Sequence, residues 1–188
     1  MSEKDKTGKR LVEIIRADDP IIKYGDPVLR DKARFVTTFN DELPELVERM
    51  EVIMREANGC GLAAPQVGIS QRIFIYDSGD GVRAVVNPKI TRSKGEQTGE
   101  EGCLSVPGLQ GQVTRAFDIV VKGQDEFGKP IKIHAQEFEA RVMQHEIDHL
   151  DGILFIDEGR ADPDTLHWLT AEELAEEEAD GSLEKIQE

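Results

Sequence analysis

Between Gln144 and Gly152 the chain reads Gln-His-Glu-Ile-Asp-His-Leu-Asp-Gly, which contains H-E-x-x-H. Residues four apart on an α-helix are offset by about 40° and about 6 Å along the axis, so His145 and His149 point the same way and can grip one metal ion. Glu146 stands beside them. A carboxylate there can take a proton from water activated by the metal and pass it to a leaving group. The pattern points to hydrolysis, but two imidazoles are one short of the three protein ligands that a catalytic site uses beside its open position.

Cys103 is the first candidate for the third ligand. It stands in Glu100-Glu101-Gly102-Cys103-Leu104-Ser105-Val106-Pro107, a segment bracketed by turn formers, and a thiolate joined to two imidazoles makes a compact, fairly soft site with one open corner. The alternative is a carboxylate some twenty residues downstream, Glu172 or Glu173, as in a thermolysin-type site. A metzincin site is excluded, because Phe155 occupies the position of its third histidine. His134 and His167 are read as surface residues.

A second run, Gly59-Cys60-Gly61-Leu62-Ala63-Ala64-Pro65-Gln66, consists of small residues that allow close backbone approach to a bound molecule. A tight buried crossover is the other reading of it. Gln66 is its one side chain able to donate to a substrate oxygen, and with the Leu104 backbone N–H it can stabilise a developing oxyanion.

These groups need elements to hold them. Apolar residues at three- and four-residue spacings predict a helix over residues 41–57, capped by Asn40 or Asp41 and stopped at Asn58-Gly59. Residues 72–77 and 82–86 read as strands, with an extension at 90–94, followed by a strand over 112–122 and another through Ile131 and Ile133. A hairpin over 125–129 joins the last two. The motif helix begins near 137–140 and ends at Asp151-Gly152, and Ile153 to Phe155 continue as an apolar strand or anchor. Thr170 and Glu173 form a capping box for a short terminal helix docked by Trp168, Leu169 and Leu174. The class is α+β: antiparallel sheets packed around a central metal-binding helix, with an N-terminal helix and a C-terminal helical tail. Residues 1–10 read as a mobile leader, 11–160 as the catalytic domain and 161–188 as an acidic, partly helical tail, disordered beyond Glu178.

Net charge is −15, and residues 157–188 hold 12 acidic against 2 basic residues, leaving 26 against 21 before them. No basic stripe shows in the linear sequence, so binding to nucleic acid, DNA included, is not the expected main task. No run approaches the ~20 apolar residues of a membrane span, and nothing directs secretion, so Cys60 and Cys103 are read as reduced thiols in a cytoplasmic protein.

The three stretches together resemble one family, the peptide deformylases. Gly59-x-Gly61-Leu62-Ala63-Ala64-Pro65-Gln66 is similar to its first motif, Glu101-Gly102-Cys103-Leu104-Ser105 to its second, and Gln144-His145-Glu146-x-x-His149-Leu150 to its third. The resemblance spans roughly residues 11–158. It implies a bacterial-type hydrolase that removes the formyl group from the N-terminal formyl-methionine of new polypeptides. It further implies that Cys103, His145 and His149 bind one divalent metal, Fe2+ as a rule, with Zn2+, Ni2+ or Co2+ able to replace it in a preparation. Glu146 would be the general acid/base, and Gln66 and Leu104 the oxyanion site. Gly59, Cys60, Gly61, Glu101 and Val142 would bind substrate. The acidic tail replaces what in some relatives is a basic helix that docks on the ribosome, so only transient ribosome proximity is expected. A thermolysin-type protease and a non-enzymatic metal- or peptide-binding module are the competing classes.

Overall fold

The computed structural model describes residues 10–180. The strand β2 (Ile73–Tyr76) shows how the fold is organised, because it is buried on both faces. Ile73 and Ile75 pack into one apolar cluster with Leu46, Met50 and Ile53, while Phe74 and Tyr76 pack into a second with Ala140, Met143 and Leu150. The first partner set belongs to α1 (Glu42–Glu56) and the second to α2 (Glu137–Leu150). Period-two alternation in a strand thus buries two helices against opposite faces of one sheet.

That sheet is antiparallel, with strands in the order β1 (Gly61–Ala63), β2, β3 (Arg83–Lys94), β6 (Asp118–Gln124) and β7 (Pro130–Gln136). A smaller antiparallel sheet joins β4 (Gln97–Cys103), β5 (Val106–Arg115) and β8 (His167–Trp168). The chain is α+β with its metal-motif helix at the centre. Among the described residues no helix is long and apolar enough to cross a membrane.

Several expectations are refined. Asn40, not Asp41, caps α1: its side chain accepts from the Glu42 N–H at 3.1 Å. Residues 112–122 are two strands, because the chain leaves the small sheet at Arg115 and joins the large one at Asp118. Gln144 of α2 pins this crossing, accepting from the Ala116 N–H and donating to the Ala116 carbonyl. Residues 83–94 form one strand through Pro88, with register shifts on either side of Lys89 and Ile90. Ile153 to Phe155 form no strand, and Leu154 and Phe155 serve as buried anchors.

In the C-terminal segment, Thr170 and Glu173 do make the capping box for α3 (Ala171–Asp180). Trp168 is 69% exposed, however, so it does not dock the tail by burial. The backbone does that work: β8 pairs with β5, and the Leu169 N–H donates to the Gly108 carbonyl at 2.7 Å. Helix α3 continues past Glu178 to Asp180. Residues 1–9 and 181–188, where the leader and the rest of the disordered tail are expected, lie outside the described residues.

Candidate active site

Helix α2 and the end of β4 bring three ligand atoms together. His145 and His149 lie one turn apart with ring centroids 4.9 Å from each other, and Cys103 Sγ is 3.3 Å from His149 Nε2. The ligand atoms of Cys103, His145 and His149 all lie within 4.8 Å of one another, and no other group of three such residues is found among those described. Glu173 is committed to its own helix cap and Glu172 lies on the same helix, so neither downstream carboxylate joins the group.

The donor set fits a divalent transition metal, since a sulfur and two imidazoles are the ligands that such ions take. Burial and the neighbouring His145 push the His149 ring well below its ordinary pKa and keep it in the neutral form that ligates metal. His145 is oriented from behind, its Nδ1 lying 3.0 Å from Glu101 Oε2, which leaves Nε2 for the metal.

The family resemblance puts Glu101 on the substrate wall, and the structure places it behind His145 instead. It is buried, and three side chains occupy its carboxylate: Arg115 donates Nε at 2.5 Å and Nη2 at 2.8 Å, Arg141 donates Nη1 at 2.7 Å, and His145 Nδ1 lies against Oε2. Burial alone would raise its pKa, but the hydrogen bonds from Arg115 and His145 hold it far below the usual carboxylate range. Arg115 is held in turn by Asp148, which also accepts from Arg160 at 2.9 Å. A chain of alternating charge therefore runs Arg160, Asp148, Arg115, Glu101, His145.

Glu146 is 3% exposed, and its Oε2 has no hydrogen-bond partner among the described residues. Burial pushes its carboxyl up to about 7, a value suited to accepting and returning a proton near neutrality. A Cβ at Gly61 would run into this carboxylate, and one at Gly59 would lie 2.8 Å from the Leu104 side chain. The glycines of the first motif are thus required by close approach to the other two motifs.

Gln66 is locked in orientation. Its Oε1 accepts from the Ala63 N–H at 2.8 Å, and its Nε2 donates to Ser105 Oγ at 3.2 Å and faces Cys103 Sγ at 3.7 Å. Leu104 comes directly after Cys103 in the tight turn between β4 and β5. Cys60 accepts at its carbonyl from the Asp77 N–H, and burial, then the charge of Glu146, pushes its thiol up to about 12, so it stays a neutral thiol. Val142 lies one turn before Glu146 on α2 and is 5% exposed. His134 pairs with Asp118 on the outer surface, and His167 is exposed on β8.

Residues 18–163 match the family model described as polypeptide deformylase. The peptide deformylase of Pelotomaculum thermopropionicum is 47% identical over 140 residues, covering 74% of this chain and 90% of that protein. That of Halothermothrix orenii is 51% identical over 139 residues, covering 73% and 90%. Among solved structures, peptide deformylase from Thermotoga maritima aligns with a TM-score of 0.74 at 46% identity, covering 76% of this chain and 97% of that one. The chain belongs to the polypeptide deformylase family. It is a hydrolase that removes the N-formyl group from the N-terminal formyl-methionine of newly made polypeptides, in a family whose chemistry depends on a metal.

Arg115, Arg141 and Asp148, which shape this deformylase site, do not stand out in the sequence. Arg141 and Asp148 do carry a signal. Both lie within one turn of the histidines on α2, where a charged residue beside a buried metal motif has to find a partner.

Proposed function

We propose that Glu146, Gln66 and the Leu104 N–H carry out deformylation at a metal held by Cys103, His145 and His149. A metal held there would supply Lewis acidity and would make a water molecule acidic enough to lose its proton near neutral pH. Glu146 accepts a proton from water as the water oxygen adds to the formyl carbon and delivers it to the methionine nitrogen as the formyl C–N bond breaks, so formate and a free N-terminus leave. Gln66 Nε2, aimed toward Cys103 by the anchoring of its own oxygen at Ala63, donates to the formyl oxygen as negative charge develops there, together with the Leu104 N–H. The Gly59-Cys60-Gly61 backbone brackets the peptide, and Val142 shapes the methionine pocket.

The observation that carries this reading is the convergence of three ligand atoms beside a buried carboxylate with an unpartnered oxygen. We assign Fe2+ as the native metal, with Zn2+, Ni2+ or Co2+ as substitutes, and place the enzyme in the cytoplasm, where formylated chains emerge. Residues 11–160 form the catalytic unit, and proximity to the ribosome is transient, without docking by the acidic tail. Anaerobic formate release from formyl-Met-Ala-Ser is the direct test. Cleavage of an internal bond in an unformylated peptide, with no formate released, would refute it.

A further inference from the structure

The two oxyanion donors come from loops that belong to different sheets. Gln66 lies in the short helical turn Ala64–Val67 that follows β1 of the large sheet, and Leu104 stands in the turn between β4 and β5 of the small one. Both must reach one substrate oxygen, because such donors act at about 2.7–3.1 Å from it. The separation of the two loops therefore bears on the rate, and misplacement by about 1 Å can cost about 100-fold.

One short segment of the N-terminal arm touches both loops. The Ile22 N–H donates to the Gln66 carbonyl at 2.7 Å, and the Tyr24 N–H donates to the Ser105 carbonyl at 2.7 Å. Gln66 Nε2 donates to Ser105 Oγ at 3.2 Å, so three hydrogen bonds close a ring through Ile22, Gln66, Ser105 and Tyr24. Gln66 and Ser105 are both buried, so water does not readily replace a lost N–H at either carbonyl. The arm itself is fixed. Ile21 packs into the same apolar cluster as Val67, and the Asp26 side chain accepts from the Val28 N–H at 3.1 Å where the chain turns away. Two buried carbonyls can be satisfied by unrelated donors. Here the donors sit two residues apart on one anchored segment, which ties the spacing of the two loops to it.

We infer that Ser105 and the N–H groups of Ile22 and Tyr24 are positioning elements for deformylation: they hold the Gln66 amide and the Leu104 N–H at the spacing that the developing oxyanion requires. The Ser105 hydroxyl occupies the Gln66 Nε2 from one side, while Nε2 also faces Cys103 Sγ at 3.7 Å. The ring acts through Gln66 and Leu104, so its role rests on those two being the oxyanion donors. Charge on the formyl oxygen develops in the transition state, so loosening the ring lowers kcat and leaves KM in place.

The test removes single N–H groups. The Gly59-Cys60 junction lets a synthetic thioester of residues 1–59 be ligated to recombinant residues 60–188, which gives the full chain. Ile22 or Tyr24 is replaced in it by the matching α-hydroxy acid, which puts an ester oxygen in place of the N–H and keeps the side chain. Against ligated wild type at equal metal content, each ester should lower kcat for formyl-Met-Ala-Ser about tenfold, with KM within about twofold. Ser105→Ala, made without ligation, should do the same. The ester at Asp26 should leave both constants unchanged, since it removes the N–H that the Lys23 carbonyl accepts from and no bond of the ring. In a Gln66→Ala background the Ile22 ester should cost less than about twofold further, because the two act as one unit. In metal-free protein with isotope-labelled glutamine in the recombinant segment, the NMR signal of the Gln66 side-chain amide should shift or broaden with the Ile22 ester. Esters with wild-type kcat, a loss carried by KM, an unmoved Gln66 signal, or an undiminished ester cost beside Gln66→Ala each overturn the inference and leave Gln66 its role. A fully active Gln66→Ala overturns both the inference and the oxyanion reading beneath it.

Discussion

Glu101 Oε2 lies 3.0 Å from His145 Nδ1, so a carboxylate two residues before the candidate thiolate ligand orients the first of the two imidazole ligands. The arrangement fixes which ring nitrogen carries the proton and turns Nε2 toward the other donors. Glu101→Gln keeps the shape but removes the charge that holds the ring, and it leaves Arg141 without its counter-ion and Arg115 with Asp148 alone. Metal affinity should fall about 10–100-fold, and unfolding should be easier by about 3–5 kcal/mol. Metal titration with a competing chelator and urea denaturation check the two effects separately. Unchanged metal affinity would remove Glu101 from the orienting role.

The same carboxylate makes stability depend on pH. Its folded pKa lies far below the unfolded value of about 4.3, so the unfolded state binds the proton first. Glu101 therefore contributes fully above that value, and its contribution is lost as pH falls below about 4.3 toward the folded pKa. Denaturation of metal-free protein from pH 7 down to pH 3 should show the gap between wild type and Glu101→Gln narrowing only below about pH 4.5. A gap that stays constant across the range contradicts this assignment.

Glu146→Gln should bind metal as wild type does and lose turnover by about 10²–10⁴-fold, because the carboxylate moves protons and is not among the three grouped ligands. Metal content measured alongside formate release decides it. Full activity in the loaded variant would sink the mechanism. Gly61→Ala should come close to the same loss by another route, since its Cβ would displace that carboxylate.

Cys103→Ala should strip one charged ligand and open a second coordination position, so that metal binding and deformylation both fall by orders of magnitude. The double variant Glu172→Ala/Glu173→Ala should change neither, since these residues lie on α3 and Glu173 caps it. The reverse result would install a thermolysin-type site in place of a deformylase site.

How much of the site is legible in the sequence depends on the range of the interactions that build it. His145, Glu146 and His149 are legible because helical spacing alone puts them on one side, and Cys103 is legible because its chemistry completes the set. The place of Glu101 is not, because its partners Arg115 and Arg141 lie 14 and 40 residues away and meet it only once β4, β5 and α2 are packed. The break at Ala116 is hidden for a similar reason: Gln144, 28 residues on, holds the crossing. Local apolar pattern also makes Ile153 to Phe155 look extended, where burial of Leu154 and Phe155 needs no strand.

The tail offers the last prediction, because composition and structure separate its two roles. It contributes no grouped ligand, yet β8 completes the small sheet, Thr165 Oγ1 accepts from the Gln112 N–H at 2.9 Å, and Leu166 packs over Gly111. Ending the chain after Ala161 removes all three supports, whereas ending it after Thr170 keeps them and discards only α3 and the residues beyond it. The longer truncation should therefore lower the thermal midpoint by about 4–10 °C, while the shorter one leaves it nearly unchanged. Both should release formate from short formyl-peptides within a few-fold of the full chain, because Cys103 is held by the β4–β5 hairpin and both histidines by α2. If the shorter truncation stays folded by circular dichroism but loses turnover, α3 belongs to the catalytic unit and the boundary near residue 160 is misplaced.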